Sequence, residues 1–180
     1  MTSMSFAGWR VTELVLRRST PADVDAVLAL YRAVAAIEGG LARTAAEIDR
    51  DWLDGVLHAS WTRGVSMVAA RGDEIIGELH AFRPVPRCFH HVLSDLTIAI
   101  SPSAQGQGVG RRLFGAFLTV VETELPEIER VELFARESNA RGLALYASLG
   151  FVEDGRLRHR CRGVSGALED DVVMGWMRRR

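Results

Sequence analysis

The sequence predicts an α/β chain of the α+β kind, with one mixed, mostly antiparallel sheet flanked by helices on both faces. Three observations carry that prediction. Apolar runs of strand period alternate with segments of helical period along nearly the whole chain. The two kinds follow the order β α α β β β α β α β β, and proline, glycine or capping residues mark most of the changes between them. The third is size: 180 residues with 48% apolar content suffice for one substantial core, so residues 1–180 are read as a single domain without linker or repeat.

Val11 to Leu16 alternates apolar and polar residues and reads as the first strand. Thr20, Pro21 and Asp23 then supply an N-cap, a first-turn proline and an early acid, so a helix starts near Pro21. Its apolar face, Val24, Val27, Leu28, Tyr31 and Val34, runs until Gly39 and Gly40. Thr44-Ala45-Ala46-Glu47 has the form of a capping box and is expected to open a second helix bearing Ile48, Trp52, Leu53, Val56 and Leu57. Ser66 to Ala70 and Ile75 to Phe82 form a hairpin around Arg71 to Glu74, closed by Pro84 and Pro86.

Val92 to Ile100 is the most apolar strand and suits the middle of a sheet. An amphipathic helix from Val109 to Glu124 presents Leu113, Phe114, Phe117, Leu118 and Val121 and stops at Pro126. After a strand at Val131 to Ala135, Asn139 caps a helix carrying Leu143, Leu145, Tyr146 and Leu149, with Gly150 at its end. Strands near Phe151 to Arg160 and Asp171 to Met177 complete the order.

Composition removes several functions. Lysine is absent, so all 22 basic residues are arginine and a phosphate loop of the GxxxxGK[ST] type is impossible. The arginines are dispersed and offset by 23 acids; those at Arg156 to Arg162 and Arg178 to Arg180 read as a solvated strand face and a tail, which argues against nucleic acid. Met1 to Arg10 lacks a continuous apolar run, and no stretch of 18 apolar residues exists, so neither export nor membrane spanning is expected and the location is read as cytoplasmic. Cys88 and Cys161 are too few for a disulfide framework. Cys88-Phe89-His90 and His159-Arg160-Cys161 each place two soft ligands at i and i+2, yet their separation in sequence argues against zinc, and no metal is expected.

The chemistry concentrates in Gln105-Gly106-Gln107-Gly108-Val109-Gly110-Arg111-Arg112, which follows the central strand and opens a helix. Unpaired N–H groups at a helix's positive end bind anions, glycines allow close approach of a pyrophosphate, and Arg111 and Arg112 add charge at the edge. The glycines fall at 106, 108 and 110 after three strands have passed, which disfavours a dinucleotide-binding fold and with it a nucleotide-dependent oxidoreductase.

Gln105, Gly108 and Gly110 instead match the Q/R-x-x-G-x-G/A signature of the GNAT family of N-acetyltransferases. The segment Asn139 to Phe151 resembles the same family's N-x-x-A-x-x-L-Y-x-x-x-G-F motif, with Ala144 later than the alanine of some members. The resemblance spans nearly the whole chain. It implies an acetyl-CoA-dependent N-acetyltransferase that moves an acetyl group directly to a primary amine, with no metal; a small-molecule amine is the expected acceptor, and a homodimer is common in such families. An acyl-CoA sensor without turnover and a protein or peptide N-acetyltransferase are the alternatives.

The resemblance also implies roles for residues. Acetyl-CoA would lie in an opening between the strand ending near Ile100 and the strand Val131 to Ala135. Thr97, Ile98, Ala99 and Ile100 would hold the pantetheine arm by their backbone, and Gln105, Gly106, Gln107, Gly108, Val109, Gly110, Arg111 and Arg112 the pyrophosphate. Tyr146 is the candidate acid for the departing thiolate, and Asn139 a contact of the pantetheine arm as well as an N-cap. For the base, Asp95 ranks first, because it sits on the central strand and alternation puts it on one face with Leu93, Thr97 and Ala99. Glu78 and then His80, which share a face of the preceding strand, follow. The loops Glu38 to Thr44 and Gly163 to Glu169 are expected beside the acceptor; Glu38, Glu78, Asp95 and Glu169 could attract a cationic amine, whereas Arg43 could bind a carboxylate.

Overall fold

The computed structural model describes residues 13–163 and 165–179. Its elements are β1 (Leu14–Arg18), α1 (Val24–Ala35), α2 (Arg50–Arg63), β2 (Gly64–Arg71), β3 (Glu74–Phe82), β4 (Val92–Ile100), α3 (Val109–Glu124), β5 (Arg130–Arg136), α4 (Ala140–Ser148), β6 (Val152–Arg162) and β7 (Leu168–Met177). The order read from the sequence is reproduced. Val11 and Thr12 of the expected first strand lie outside the described residues.

A helical turn begins at Pro21 as expected, tighter in its first turn, whereas the second helix starts later than expected. A capping box satisfies only the first orphan N–H groups, and at Thr20 and Thr44 it closes a single turn of tighter helix. The α2 helix itself begins later, where Asp49 accepts a bond from the Trp52 N–H at 2.8 Å. At the first box, Asp23 is buried and gripped by both arms of Arg17 at 2.7 Å, with the Thr20 N–H and hydroxyl as further donors.

These bonds, the Arg17 pair foremost, hold the Asp23 carboxyl at about 2, below the usual 3.8. A pKa depressed in the folded state adds stability that is complete above the unfolded value and lost as pH falls through about 2. Arg17 is half exposed, so the expected cost of Asp23→Asn at pH 7 is on the order of 2 kcal/mol at most. Thermal melts should show the gap between variant and wild type closing between pH 4 and pH 2; a gap independent of pH would contradict the ion pair.

The seven strands lie in the order β1-β2-β3-β4-β5-β7-β6 and are antiparallel except for β4 and β5. Helices α3 and α4 cover one face, around Phe114, Phe117, Tyr146, Phe151 and Trp176. On the other face α1 and α2 enclose Tyr31, Ile48, Leu53 and Leu57. Each fully buried side chain of this size contributes roughly 1.5–3 kcal/mol, so both helical layers are held chiefly by the sheet.

Two irregularities in the middle of the sheet shape everything that follows. The parallel pairing of β4 with β5 covers only Val92 with Arg130 and Leu93 with Val131, after which the strands part. In the same stretch Asp95 adopts φ 51 and the register of β3 with β4 shifts between His80 and Phe82, which marks a bulge. A bulge adds one residue and inverts the alternation of faces. Leu93 therefore packs under α3, but so do Leu96, Ile98 and Ile100, whereas Ala99 packs under α1 and α2. The expectation that Asp95 shares one face with Leu93, Thr97 and Ala99 is corrected accordingly: Leu93 and Ala99 are on opposite faces.

Candidate active site

The free edge of β4 is the axis of the site. The Ser101 N–H bonds the Ile76 carbonyl, and in an antiparallel ladder bonded residues alternate, so Ala99 and Thr97 also direct their backbone groups toward β3. Those of Ile98 and Ile100 then point into the gap left by β5. Gln105 confirms the direction by donating its side-chain amide to the Ile100 carbonyl at 3.2 Å.

A cavity of about 470 Å³ opens along this edge, lined by Ile98, Ile100, the glycine loop and the start of α4. Gly106 and Gly108 both adopt φ +77, which side chains strongly disfavour, and a Cβ at either would meet nothing within 4 Å. Gly108 is the N-cap of α3, so the loop leaves the helix's first N–H groups facing open space. Gly110 serves packing instead, since its Cβ position is 3.5 Å from Ile100 Cγ1.

Among the expected cofactor contacts, Ile98, Ile100, Gln105, Gly106, Gly108, Val109, Gly110, Arg111, Asn139 and Tyr146 line this cavity. Four do not. Thr97 lines a second cavity, and Ala99 is buried under α1 and α2. Gln107 folds back on the loop, donating to the Ser103 carbonyl at 2.6 Å and accepting from Arg71 at 3.1 Å. Arg112 is exposed on α3 outside the cavity. Arg141, on the first turn of α4, lines the cavity and was not singled out from sequence, although it stands inside the Asn139 to Phe151 segment.

Tyr146 packs against Phe114 and Phe151 and is 8% exposed. Burial pushes its hydroxyl up to about 12, so it is a protonated donor throughout the neutral range. Asn139 caps α4, its side-chain oxygen accepting from the Gly142 N–H at 3.0 Å. That leaves the amide N–H groups of Asn139 for other partners.

The second cavity, about 400 Å³, is lined by Arg43, Trp52, Val56, His80, Phe82, Asp95, Leu96, Thr97 and Phe134. Asp95 is exposed here, placed by the bulge. Glu78 is fully buried and lines neither cavity. Its carboxylate accepts from the Ser66 hydroxyl at 2.7 Å and the Tyr31 hydroxyl at 2.6 Å, and His80 Nδ1 lies 3.1 Å away. The chain of donors extends outward from Ser66 through Ser19 to the Trp61 indole N–H.

This network fixes the tautomer of His80. Burial and the neighbouring Glu78 hold the Tyr31 phenol well above its ordinary pKa, so Tyr31 keeps its proton and spends it on Glu78. Nδ1 of His80 then has only acceptors in reach, the Glu78 carboxylate and the Tyr31 oxygen at 3.2 Å. Nδ1 must therefore carry a ring proton, and in the neutral imidazole the lone pair is on Nε2. Tyr31 and Ser66 were invisible as polar partners in the sequence, where Tyr31 reads as one more apolar position of α1.

Of the loops expected beside the acceptor, Glu38 lines the first cavity and Arg43 the second. Arg136 ties this loop to β5 by donating to the Gly39 carbonyl at 2.8 Å. Glu169 is buried, accepts from the Ser138 N–H, and lines neither cavity. Among the described residues no three His, Cys, Asp or Glu side chains gather as metal ligands, and no helix is long and apolar enough to cross a membrane.

Comparison with known proteins bears on this architecture. The chain is 41% identical over 71 residues to the N-alpha-acetyltransferase RimI of Mycobacterium tuberculosis, covering 39% of this chain and 41% of the relative. It is 36% identical over 86 residues to the [ribosomal protein bS18]-alanine N-acetyltransferase of Escherichia coli, covering 46% and 56%. With the phosphinothricin N-acetyltransferase of Alcaligenes faecalis it shares 30% over 92 residues, covering 51% and 46%. The matches thus span about half the length of each relative. Solved structures agree in fold: an acetyltransferase of Streptococcus pneumoniae superposes with a TM-score of 0.81 at 19% identity, covering 92% of this chain and all of that one. An acetyltransferase of Salmonella typhimurium, solved with its cofactor acetyl-CoA, superposes with 0.79 at 18% identity, covering 93% and 95%. Residues 31–151 match the sequence pattern of the acetyltransferase (GNAT) family, and the chain belongs to that family.

Proposed function

We propose that the protein is an acetyl-CoA-dependent N-acetyltransferase that transfers the acetyl group directly to a primary amine of a small molecule. The observation that carries this reading is the unpaired edge of β4 beyond Leu93, ending at an open glycine loop and lined by Tyr146. Acetyl-CoA supplies an activated thioester. The N–H groups around Gly106 to Gly110 would hold its pyrophosphate, Arg111 and Arg141 its edge, and Ile98, Ile100 and the Asn139 amide its pantetheine arm.

Family membership and the solved relative containing acetyl-CoA support the donor; the free thiols Cys88 and Cys161 agree with a cytoplasmic setting. In the transfer, a backbone N–H of the free β4 edge stabilises the charge developing on the carbonyl oxygen. Tyr146 donates to the sulfur as the C–S bond breaks. Its pKa of about 12 exceeds that of a thiol, about 8.5, so a hydrogen bond to the thiolate rather than full proton transfer is the favoured role.

Two groups at the second cavity can relieve the incoming amine of its proton. Asp95 reaches solvent, and His80 offers the lone pair of Nε2 with Glu78 as the carboxylate that orients it. Glu78 is thereby a positioning residue. A protein or peptide acceptor is the second reading, favoured by the identity to the RimI and ribosomal-protein enzymes. A cavity of about 400 Å³ is of the size that takes a small molecule.

Titration calorimetry with acetyl-CoA, CoA and NAD on wild type and Gly108→Trp tests the donor site. Selective binding of acetyl-CoA and CoA, weakened at least about a hundredfold by an indole placed where only open space lies, is the expected result. Absence of CoA binding would overturn the proposal, and binding without thiol release from any amine or peptide would leave a sensor.

A further inference from the structure

The turn that presents Asn139 to the first cavity is held from behind by β7. Arg136 to Asn139 form a tight turn between β5 and α4, closed by the Asn139 N–H donating to the Arg136 carbonyl at 2.9 Å. The two N–H groups inside it both go to β7: that of Glu137 to the Asp170 carbonyl at 3.0 Å, and that of Ser138 to Glu169 Oε2 at 3.1 Å. The Asp170 N–H returns a bond to Glu137 Oε1 at 3.0 Å. Asn139, the last residue of the turn, lays its side chain over Gly142, where a Cβ would come within 2.5 Å of Nδ2. Its amide is thus set by the turn before it and by the bare glycine beneath it.

Glu169 is a costly group for the single hydrogen bond it makes. It is 7% exposed, forms no ion pair among the described residues, and its Oε1 has no hydrogen-bond partner there. Asp171, two residues on, is buried as well. Burial, first of all, lifts the Asp171 carboxyl above its usual value; Arg160 and Arg136 oppose this, and the charge of Glu169 adds to it. A buried carboxylate so thinly paired works against stability, and an apolar side chain of similar volume commonly does better. Ser138 itself is exposed, so water is at hand for its N–H.

The fold nevertheless makes room for this carboxylate. Gly163, the first residue after β6, lies outside the left-handed region, so conformation does not demand a glycine there. Space does: a Cβ at Gly163 would stand 2.9 Å from Glu169 Oε1. A costly acid is therefore kept, and seated by a glycine, at the one place where it grips the turn before Asn139.

We infer that Glu169 is a positioning residue for the donor cavity: seated by Gly163, it fixes Ser138 and with it the turn from which the Asn139 amide reaches the pantetheine arm. This inference rests on the donor reading above. It gives the β6–β7 hairpin, expected beside the acceptor, a part in holding the donor.

The test titrates the intact chain calorimetrically with acetyl-CoA and with adenosine diphosphate, which has the pyrophosphate but no pantetheine arm. Glu169→Met and Gly163→Ala should each weaken acetyl-CoA about five- to tenfold, the net worth of about one hydrogen bond, and leave adenosine diphosphate within about twofold. Glu169→Gln keeps an oxygen for the Ser138 N–H and should stay within about twofold of wild type for both ligands. In an Asn139→Ala background Glu169→Met should cost nothing further, because the group it positions is gone. Gly163→Ala removes no polar group, so the test does not hang on Glu169→Met alone.

Acetyl-CoA affinity undiminished in both variants, an equal loss for acetyl-CoA and adenosine diphosphate, or a further loss in the Asn139→Ala background would each overturn the role of Glu169 and leave the donor site standing. A wild-type protein that binds no acetyl-CoA would overturn the donor reading, and this inference with it.

Discussion

Replacing Tyr146 by phenylalanine lowers kcat about a hundredfold while the affinity for acetyl-CoA stays within about twofold, because one proton is removed and nothing else. The ring sits on Phe114 and Phe151 and keeps those contacts in the variant. Among the described residues no group is found accepting from the hydroxyl, so no partner is left unsatisfied and the fold is spared. The loss therefore falls on the departing sulfur, where positioned proton donors contribute about 10²-fold or more.

The pH dependence makes the assignment sharper. A hydroxyl held at about 12 by burial remains protonated below that value, so kcat of the wild type should show no descending limb up to pH 10. Any ascending limb belongs to the base and must survive in Tyr146→Phe. Steady-state thiol release across pH 6–10 measures both, and a variant with wild-type kcat would remove Tyr146 from the mechanism.

Glu78→Ala is expected to be the most destabilising of the site substitutions, by about 3–5 kcal/mol. The Ser66 hydroxyl, the Tyr31 hydroxyl and His80 Nδ1 all converge on this carboxylate in a region without solvent. Truncation strands three donors and opens a cavity as well. Glu78→Gln should cost less, because an amide oxygen at the Oε2 place still accepts from Tyr31 and His80, while the amide N–H groups face Ser66, whose chain through Ser19 can reverse part of its donor order. Chemical denaturation should rank the proteins wild type, Gln and Ala in falling stability. An alanine variant within about 1 kcal/mol of wild type would contradict the network.

The element order and the cavity at the glycine loop were legible in the sequence because both are written locally. A glycine loop after an apolar strand, or a run of helical period ending in glycine, needs no partner to be recognised. What escaped was assembled at long range. Trp52, Phe82 and Phe134 are apolar positions on α2, β3 and β5, and only the sheet makes them walls of one cavity. Tyr31 and Glu78 are 47 residues apart and meet because α1 lies on β3. The start of α2 was misplaced because a capping box is satisfied by a single turn, and the face of Asp95 because alternation gives no sign of an inserted residue.

That inserted residue has an evolutionary corollary. Beyond the bulge, successive residues of one strand address different cavities: Thr97 the second, Ile98 and Ile100 the first. Under the proposed function, a change of acceptor preference can accumulate at position 97 and around the rim of the second cavity while positions 98 and 100 keep their place beside the thioester. The strand thus works as two interleaved reading frames, and diversification in one need not disturb the other.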